Sequence, residues 1–293
     1  MKINIERLLQ YALGEYRSIE HVEPISGGDI SDAALVETPH DRFFIKWHHS
    51  GPADLFEREA QALRLMRATD TELIIPEPLG VVRADDDLPA ALVLEYLEPG
   101  RRGADFDEQL GRGLAQLHSA SADAYGFAHD NYCGTTLQPN DWTHDWIAFY
   151  GQQRLHHQVT LCDERRGLDT RQRRLLLRLV DGLDQWLDTH EHRPALIHGD
   201  LWAGNVHTTV DGQPAIFDPA AYYGHREAEM GMMKLFGGFS ETVYDAYEEI
   251  DPLPQHWRTR VPLYSLYHVL NHYYIFGGHY AEQAASIAER WVT

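Results

Sequence analysis

The pattern of apolar residues changes once along this chain, and that change limits the folds open to it. Up to about residue 97 short β-type runs dominate. After the breaker-rich segment Glu98-Pro99-Gly100-Arg101-Arg102-Gly103, helical periods take over. An amphipathic helix is expected over residues 1–14. Strands follow at 22–25, 33–38 and 42–47, joined by turns at Ser26-Gly27-Gly28-Asp29 and Pro39-His40-Asp41. Phe56, Ala60, Leu63 and Met66 recur at helical spacing, and two further strands are expected at 79–83 and 91–96. Helices are then predicted over 106–119, 142–153, 170–189 and 263–276, with short β runs at 195–197 and 215–217 bracketing a polar cluster. The expected fold class is α+β and two-lobed. A small antiparallel-sheet lobe with one helix spans 1–97, and a larger, mostly helical lobe spans 98–293.

The formal charge of −20 comes from 45 acidic against 25 basic residues, which disfavours nucleic acid and anionic membranes as partners. Only Lys2, Lys46 and Lys234 are lysines, so a task that needs an ammonium has few candidates. Cys133 and Cys162 form no CxxC motif, which fits a reducing cytoplasm and leaves a disulfide between them open. Residues 1–14 lack the apolar core of a signal peptide. Residues 88–97 amount to about half a membrane span and contain Glu95, so a soluble, cytoplasmic protein is expected. The close histidine pairs His48-His49, His156-His157 and His190-Glu191-His192 have neither HExxH spacing nor companion cysteines and read as solvated loop histidines. No GxSxG elbow for hydrolase chemistry is present.

The chemistry concentrates in His198-Gly199-Asp200-Leu201-Trp202-Ala203-Gly204-Asn205, followed by Ile216-Phe217-Asp218. Phosphoryl transfer needs a carboxylate that orients a hydroxyl and takes its proton, together with oxygen ligands for magnesium. Asp200 followed five residues later by Asn205, with Asp218 closing the next strand, meets that need and resembles the catalytic loop and metal-binding aspartate of kinases. Lys46 ends an apolar strand, as a phosphate-binding lysine would, and Glu59 in the next helix is its best partner, with Glu57 second. Gly27 and Gly28 form a turn that could lie over phosphates, although the full GxGxxG is absent. Glu95, Tyr96 and Leu97 lead into the lobe boundary, where backbone groups could read an adenine. The polar aromatic stretch holding Tyr267, His268 and Asn271 requires partners or a pocket.

Residues 199–205, then Phe217-Asp218-Pro219-Ala220 and Tyr222-Tyr223-Gly224-His225-Arg226-Glu227, are similar to the fructosamine kinase (ketosamine-3-kinase) family, within a protein-kinase-like fold. The likeness extends to Ile25-Ser26-Gly27-Gly28, Phe44-Ile45-Lys46-Trp47, Asp130-Asn131-Tyr132-Cys133-Gly134 and Phe276-Gly277-Gly278, covering nearly the whole chain in order. The resemblance implies ATP- and Mg2+-dependent phosphorylation of the sugar 3-hydroxyl of ketosamines. It assigns Asp200 as base, Asn205 and Asp218 as metal ligands, and Lys46 and Glu59 as the phosphate pair. The adenine hinge falls at 95–97, and Trp202, with Tyr267, His268 and Asn271, lies on the acceptor side. Two positions depart from the family pattern. Asp29 stands where some relatives carry a cysteine that supports redox pairing of subunits, and His225 stands where an aspartate is common.

Gly199 replaces the arginine of the protein-kinase HRD motif, and little chain separates Asp218 from the next helix, so an activation loop has little room and protein substrates are disfavoured. The expected partner is a small ketosamine or glycated amine, and a monomer is favoured. The alternatives are an aminoglycoside or choline phosphotransferase, and a nucleotide-binding pseudokinase module.

Overall fold

A computed structural model describes residues 4–25, 31–48, 50–85, 87–187 and 193–292. The expected turn at Gly27 and Gly28, and with it Asp29, lies outside the described residues, as do His49 and 190–192. The chain divides into two compact units, Met1–Phe106 with Val206–Asp218, and Asp107–Asn205 with Pro219–Thr293.

Unit 1 opens with α1 (Ile5–Leu13), capped by the Asn4 side chain, which accepts from the Arg7 N–H at 3.0 Å. β1 (His21–Ile25), β2 (Asp32–Glu37), β3 (Arg42–His48), α2 (Leu55–Arg67), β4 (Pro78–Val82) and β5 (Ala90–Glu95) follow. The five strands make one antiparallel sheet in the order β1-β2-β3-β5-β4. Period-two alternation sorts β3. Phe43, Ile45 and Trp47 join Leu8 and Leu9 of α1 in one core, while Lys46 and His48 turn to the other face and meet α2. Leu8 and Leu9 are fully buried, and each such burial stabilises by about 1.5–3 kcal/mol.

A hairpin from much later in the sequence completes this unit. Strands Val206–Thr208 and Pro214–Ile216 pair with each other. Pro214 O accepts from Ile74 N at 3.1 Å, Ile74 O from Ile216 N at 2.9 Å, and Thr208 O from Gly100 N at 2.9 Å. The sequence places one division near Leu97. These backbone bonds explain why unit 1 instead reaches Phe106 and recruits 206–218.

Unit 2 is mostly helical. Its core helix, Trp257–Phe276, is buried at every residue from Leu263 to Asn271, so its polar members need internal partners. Ser265 Oγ donates to Gly231 O at 2.8 Å. Tyr267 Oη donates to Gln138 Oε1 at 2.9 Å, and Asn271 Nδ2 to Cys133 O at 3.2 Å. The helix expected over 142–153 begins instead at Trp146, because Asp145 caps it by accepting from Ile147 N and Ala148 N. It runs on through a π-wound turn, Phe149–His156, into His157–Arg166. The helix expected over 170–189 stops at Asp181 before Gly182.

The histidine reading needs correction. His48 is buried and stacks on Phe56 at 4.9 Å, while His156 and His157 lie in helical segments, with His157 Nε2 at 3.1 Å from Leu137 O. Apolar neighbours on α2 claim the first, and the unbroken helical winding from Trp146 carries the other two. Cys133 and Cys162 are buried free thiols.

Candidate active site

In unit 1 the ammonium of Lys46 lies 2.6 Å from Glu59 Oε1 and 2.5 Å from Asp218 Oδ1. Lys46 reaches Glu59 because it sits on the α2 face of β3, and Asp218 arrives from the recruited hairpin. Burial opposes the Lys46 charge, but Asp218 and Glu59 outweigh it, so the ammonium is held above its usual range. Burial drives the Glu59 carboxyl up against the pull of Lys46, and the charge of Asp218 adds to that rise. One ammonium thus faces two carboxyl groups, one from α2 and one from the recruited hairpin. Glu57, the second choice, is bound instead by Arg83 at 2.5 Å.

Asp218 has φ of 59°, left-handed backbone that aspartate tolerates better than most residues and that often marks functional positions. Glu95 ends β5, its N–H bonded to Glu77 O at 2.9 Å, and Tyr96 and Leu97 continue beyond the ladder half-buried. The Arg42 guanidinium lies 5.2 Å from the centre of the Tyr96 ring.

In unit 2 Asp200 follows the strand Ala195–Ile197, which pairs with Tyr222–Gly224. His198 O accepts from Ala220 N at 2.9 Å, clamping the base of the loop. Gly199 has φ of 80°, and a Cβ there would lie 2.2 Å from Ala220 O. Gly199→Ala is therefore expected to destabilise the protein by at least about 1–3 kcal/mol, the strain of that conformation alone. Urea unfolding measures it, and an unchanged midpoint would count against this loop geometry. Asp200 O accepts from Asn205 Nδ2 at 2.8 Å, which commits the amide nitrogen to the loop backbone. Trp202 is 37% exposed, and its ring lies across Gly204, where a Cβ would meet it at 2.1 Å.

Sequence reasoning missed the residue that anchors this loop. Glu229, fully buried on the helix Arg226–Leu235, accepts from His198 N at 2.5 Å and Gly199 N at 3.2 Å, with His118 Nε2 at 3.6 Å. Burial opposes its charge, but His118, the His198 imidazole and the His198 N–H together hold its carboxyl below the ordinary range. Its only sequence signal is an acid two residues past Glu227 on an otherwise apolar helix face. Glu227 is buried as well and is paired with Arg260 at 2.5 Å. His225 acts as the N-cap of that helix, its Nδ1 accepting from Glu227 N at 3.2 Å, which is the service an aspartate would give there.

Of the expected acceptor-side residues, His268 comes beside the loop, its Nδ1 3.8 Å from Asp200 Oδ1. Tyr267 and Asn271 are buried, and their polar groups are spent on the hairpin of Asn131–Cys133 and Thr136–Gln138. That hairpin is itself fixed by Asn131, which donates to Ala221 O at 2.8 Å, and by Gln138, which donates to Ala220 O at 3.1 Å. Arg154, fully buried in the π-wound turn, donates to Asn140 Oδ1 at 2.6 Å and lies 4.0 Å over the Tyr222 ring.

The chain is similar over nearly its whole length to known proteins. A probable ketoamine kinase of Vibrio parahaemolyticus is 40% identical over 285 residues, covering 95% of this chain and 94% of that protein. A chloroplastic protein-ribulosamine 3-kinase of Oryza sativa subsp. indica is 38% identical, covering 95% and 81%. A crystal structure from Thermobifida fusca, provisionally named fructosamine-3-kinase, matches with a TM-score of 0.86 at 30% identity, covering 98% and 97%. An aminoglycoside phosphotransferase structure matches with a TM-score of 0.66 at 16% identity, covering 97% and 98%, a likeness of fold alone and one that makes this a protein-kinase-like α+β protein. The fructosamine kinase family model matches residues 1–293, the full length over which the strands, the loop and its anchors are laid out, and the chain belongs to that family.

Proposed function

We propose that this protein is an ATP-dependent kinase that phosphorylates the sugar 3-hydroxyl of ketoamines. The observation that carries this reading is Asp200 itself, a partly exposed carboxylate on a loop held by Glu229, Asn205 and Gly199 in a fructosamine kinase family chain. The names of the ketoamine kinase and ribulosamine 3-kinase relatives favour the acceptor class and the hydroxyl.

Asp200 orients the acceptor hydroxyl and takes up its proton, making the oxygen nucleophilic. Lys46, braced by Glu59, offers a compact ammonium to phosphate oxygens. Asn205 and Asp218 supply hard oxygen donors, which suit Mg2+. When bound, Mg2+ and ATP supply the transferable phosphoryl group and the charge neutralisation it needs. Glu95, Tyr96 and Leu97 serve the adenine, and Gly27 and Gly28 the phosphates. Trp202 and His268 border the acceptor, while Tyr267 and Asn271 support it from behind by fixing the hairpin. The labile 3-phosphate then breaks down and frees the amine, so the activity amounts to deglycation. No described helix is long and apolar enough to cross a membrane. The buried free thiols and acidic charge support a cytoplasmic setting.

The test offers fructosyl-lysine, ribosyl-lysine, kanamycin and choline in parallel with ATP and magnesium, with phosphorus NMR assigning the product position. Phosphorylation of the ketoamines at the 3-hydroxyl is expected. Turnover of kanamycin or choline alone would replace the acceptor assignment, and no turnover with any acceptor would leave a nucleotide-binding module.

A further inference from the structure

Three chemically distinct side chains from separate elements of unit 2 converge on one point. Cys133 comes from the hairpin, Asp200 from the loop and His268 from the core helix, and one ligand atom from each lies within 4.8 Å of the others. His268 is buried, and its Nδ1 has no hydrogen-bond partner. A buried ring nitrogen without a partner is costly unless something fills the space before it. We propose that Cys133, Asp200 and His268 form an inhibitory site for a thiophilic divalent cation of the Zn2+ class, distinct from the magnesium ligands Asn205 and Asp218.

Thiolate, carboxylate and imidazole are a donor set that suits Zn2+ and that Mg2+, a hard ion seeking six oxygens, does not favour. The charges close as well, since a Cys133 thiolate and the Asp200 carboxylate cancel the two positive charges of the ion while His268 stays neutral. A metal binds the neutral form of an imidazole. Tetrahedral bonds of the usual lengths place ligand atoms roughly 3.3–3.7 Å apart, so separations of up to 4.8 Å must close by up to about 1.5 Å. The Asp200 side chain is 23% exposed, which gives a water access to the fourth position. On binding, the Cys133 thiol gives its proton to solvent, and one Sγ–metal bond, one O–metal bond and one N–metal bond form. The consequence for turnover rests on Asp200 as the base, because a carboxylate that ligates a cation cannot receive the acceptor's proton.

The experiment titrates the full-length protein with Co2+ in excess Mg2+, without nucleotide or acceptor, so that its outcome does not depend on the proposed reaction. One equivalent should bind with a near-ultraviolet thiolate-to-cobalt band, and Zn2+ should displace it. Cys133→Ala should lose the band and weaken binding at least tenfold, while Cys162→Ala keeps both. If Cys133→Ala fails to fold, His268→Ala read by the same band decides the matter. Absence of the band in the parent, or its survival in Cys133→Ala, overturns the site. Zn2+ should also lower ketoamine turnover at least tenfold in the parent, reversibly with a chelator, and less in Cys133→Ala. A band with undiminished turnover would keep the metal site and remove its inhibitory role.

Discussion

Asp200→Asn is expected to bind ATP as tightly as the parent and to turn over ketoamine at least about 100-fold more slowly, a loss of roughly 2.7 kcal/mol of transition-state stabilisation. The substitution preserves size and the backbone carbonyl that accepts from Asn205 Nδ2, so the loop keeps its shape. Only the capacity to receive a proton goes. Nucleotide affinity should be unaffected, because the proposed phosphate pair, Lys46 and Glu59, and the proposed metal ligand Asp218 belong to unit 1 and form their own ion cluster. Steady-state kinetics with a ketoamine, beside a direct nucleotide titration, separate the two effects. A mutant within threefold of the parent in kcat would remove Asp200 from the role of base.

Glu229→Gln should damage stability and turnover together. The carboxylate accepts from the His198 and Gly199 N–H groups, and an amide in its place presents a donor to one of them. Removing the charge from a fully buried, hydrogen-bonded group is expected to cost about 2–4 kcal/mol, with kcat lowered at least tenfold because Asp200 loses its fixed backbone. The pH dependence adds a sharper check. The folded-state pKa of Glu229 is depressed, so its stabilisation is fully present above the ordinary glutamate value of 4.5 and is lost as pH falls through the lower folded value. The parent should lose more stability than Glu229→Gln on acidification below pH 4.5. Parallel urea midpoints for the two proteins across that range would refute the anchoring role.

How legible these parts were in the sequence follows from how local their signals are. Asp200, Asn205 and Asp218 stand within 19 positions, each next to turn or strand residues, and Lys46 follows the apolar run Phe43-Phe44-Ile45 in a chain with only two other lysines. Glu59 was picked out because it stands in the helix that follows Lys46, where a kinase-like pattern places the lysine's glutamate partner. The five-stranded sheet was readable because its strands alternate and its turns carry Gly, Pro and Asp. Glu229 was hidden because its partners are backbone groups 30 and 31 residues away, which no side-chain pattern announces. The hairpin carrying Cys133 has strands of only three residues, too short for a period to register. Tyr267, His268 and Asn271 were conspicuous as polar residues in an apolar helix, but sequence alone could not tell the one beside Asp200 from the two committed to the hairpin. The π-wound turn left no trace either, because its apolar spacing over a single turn is indistinguishable from that of an ordinary helix.

The late hairpin 206–218 gives unit 1 an order of assembly. A nascent chain that has just emerged through Phe106 holds all five strands, yet Ile74, Gly100 and Gly103 still lack the backbone partners that lie between Thr208 and Ile216. Asp218, the countercharge to Lys46, is the last residue to join. Early in synthesis the sheet therefore carries a buried ammonium facing Glu59 alone, and the cluster proposed to meet phosphate is finished only after most of unit 2 has left the ribosome. A partly made chain is in this way kept from presenting a complete phosphate-binding surface before the loop that would use it exists.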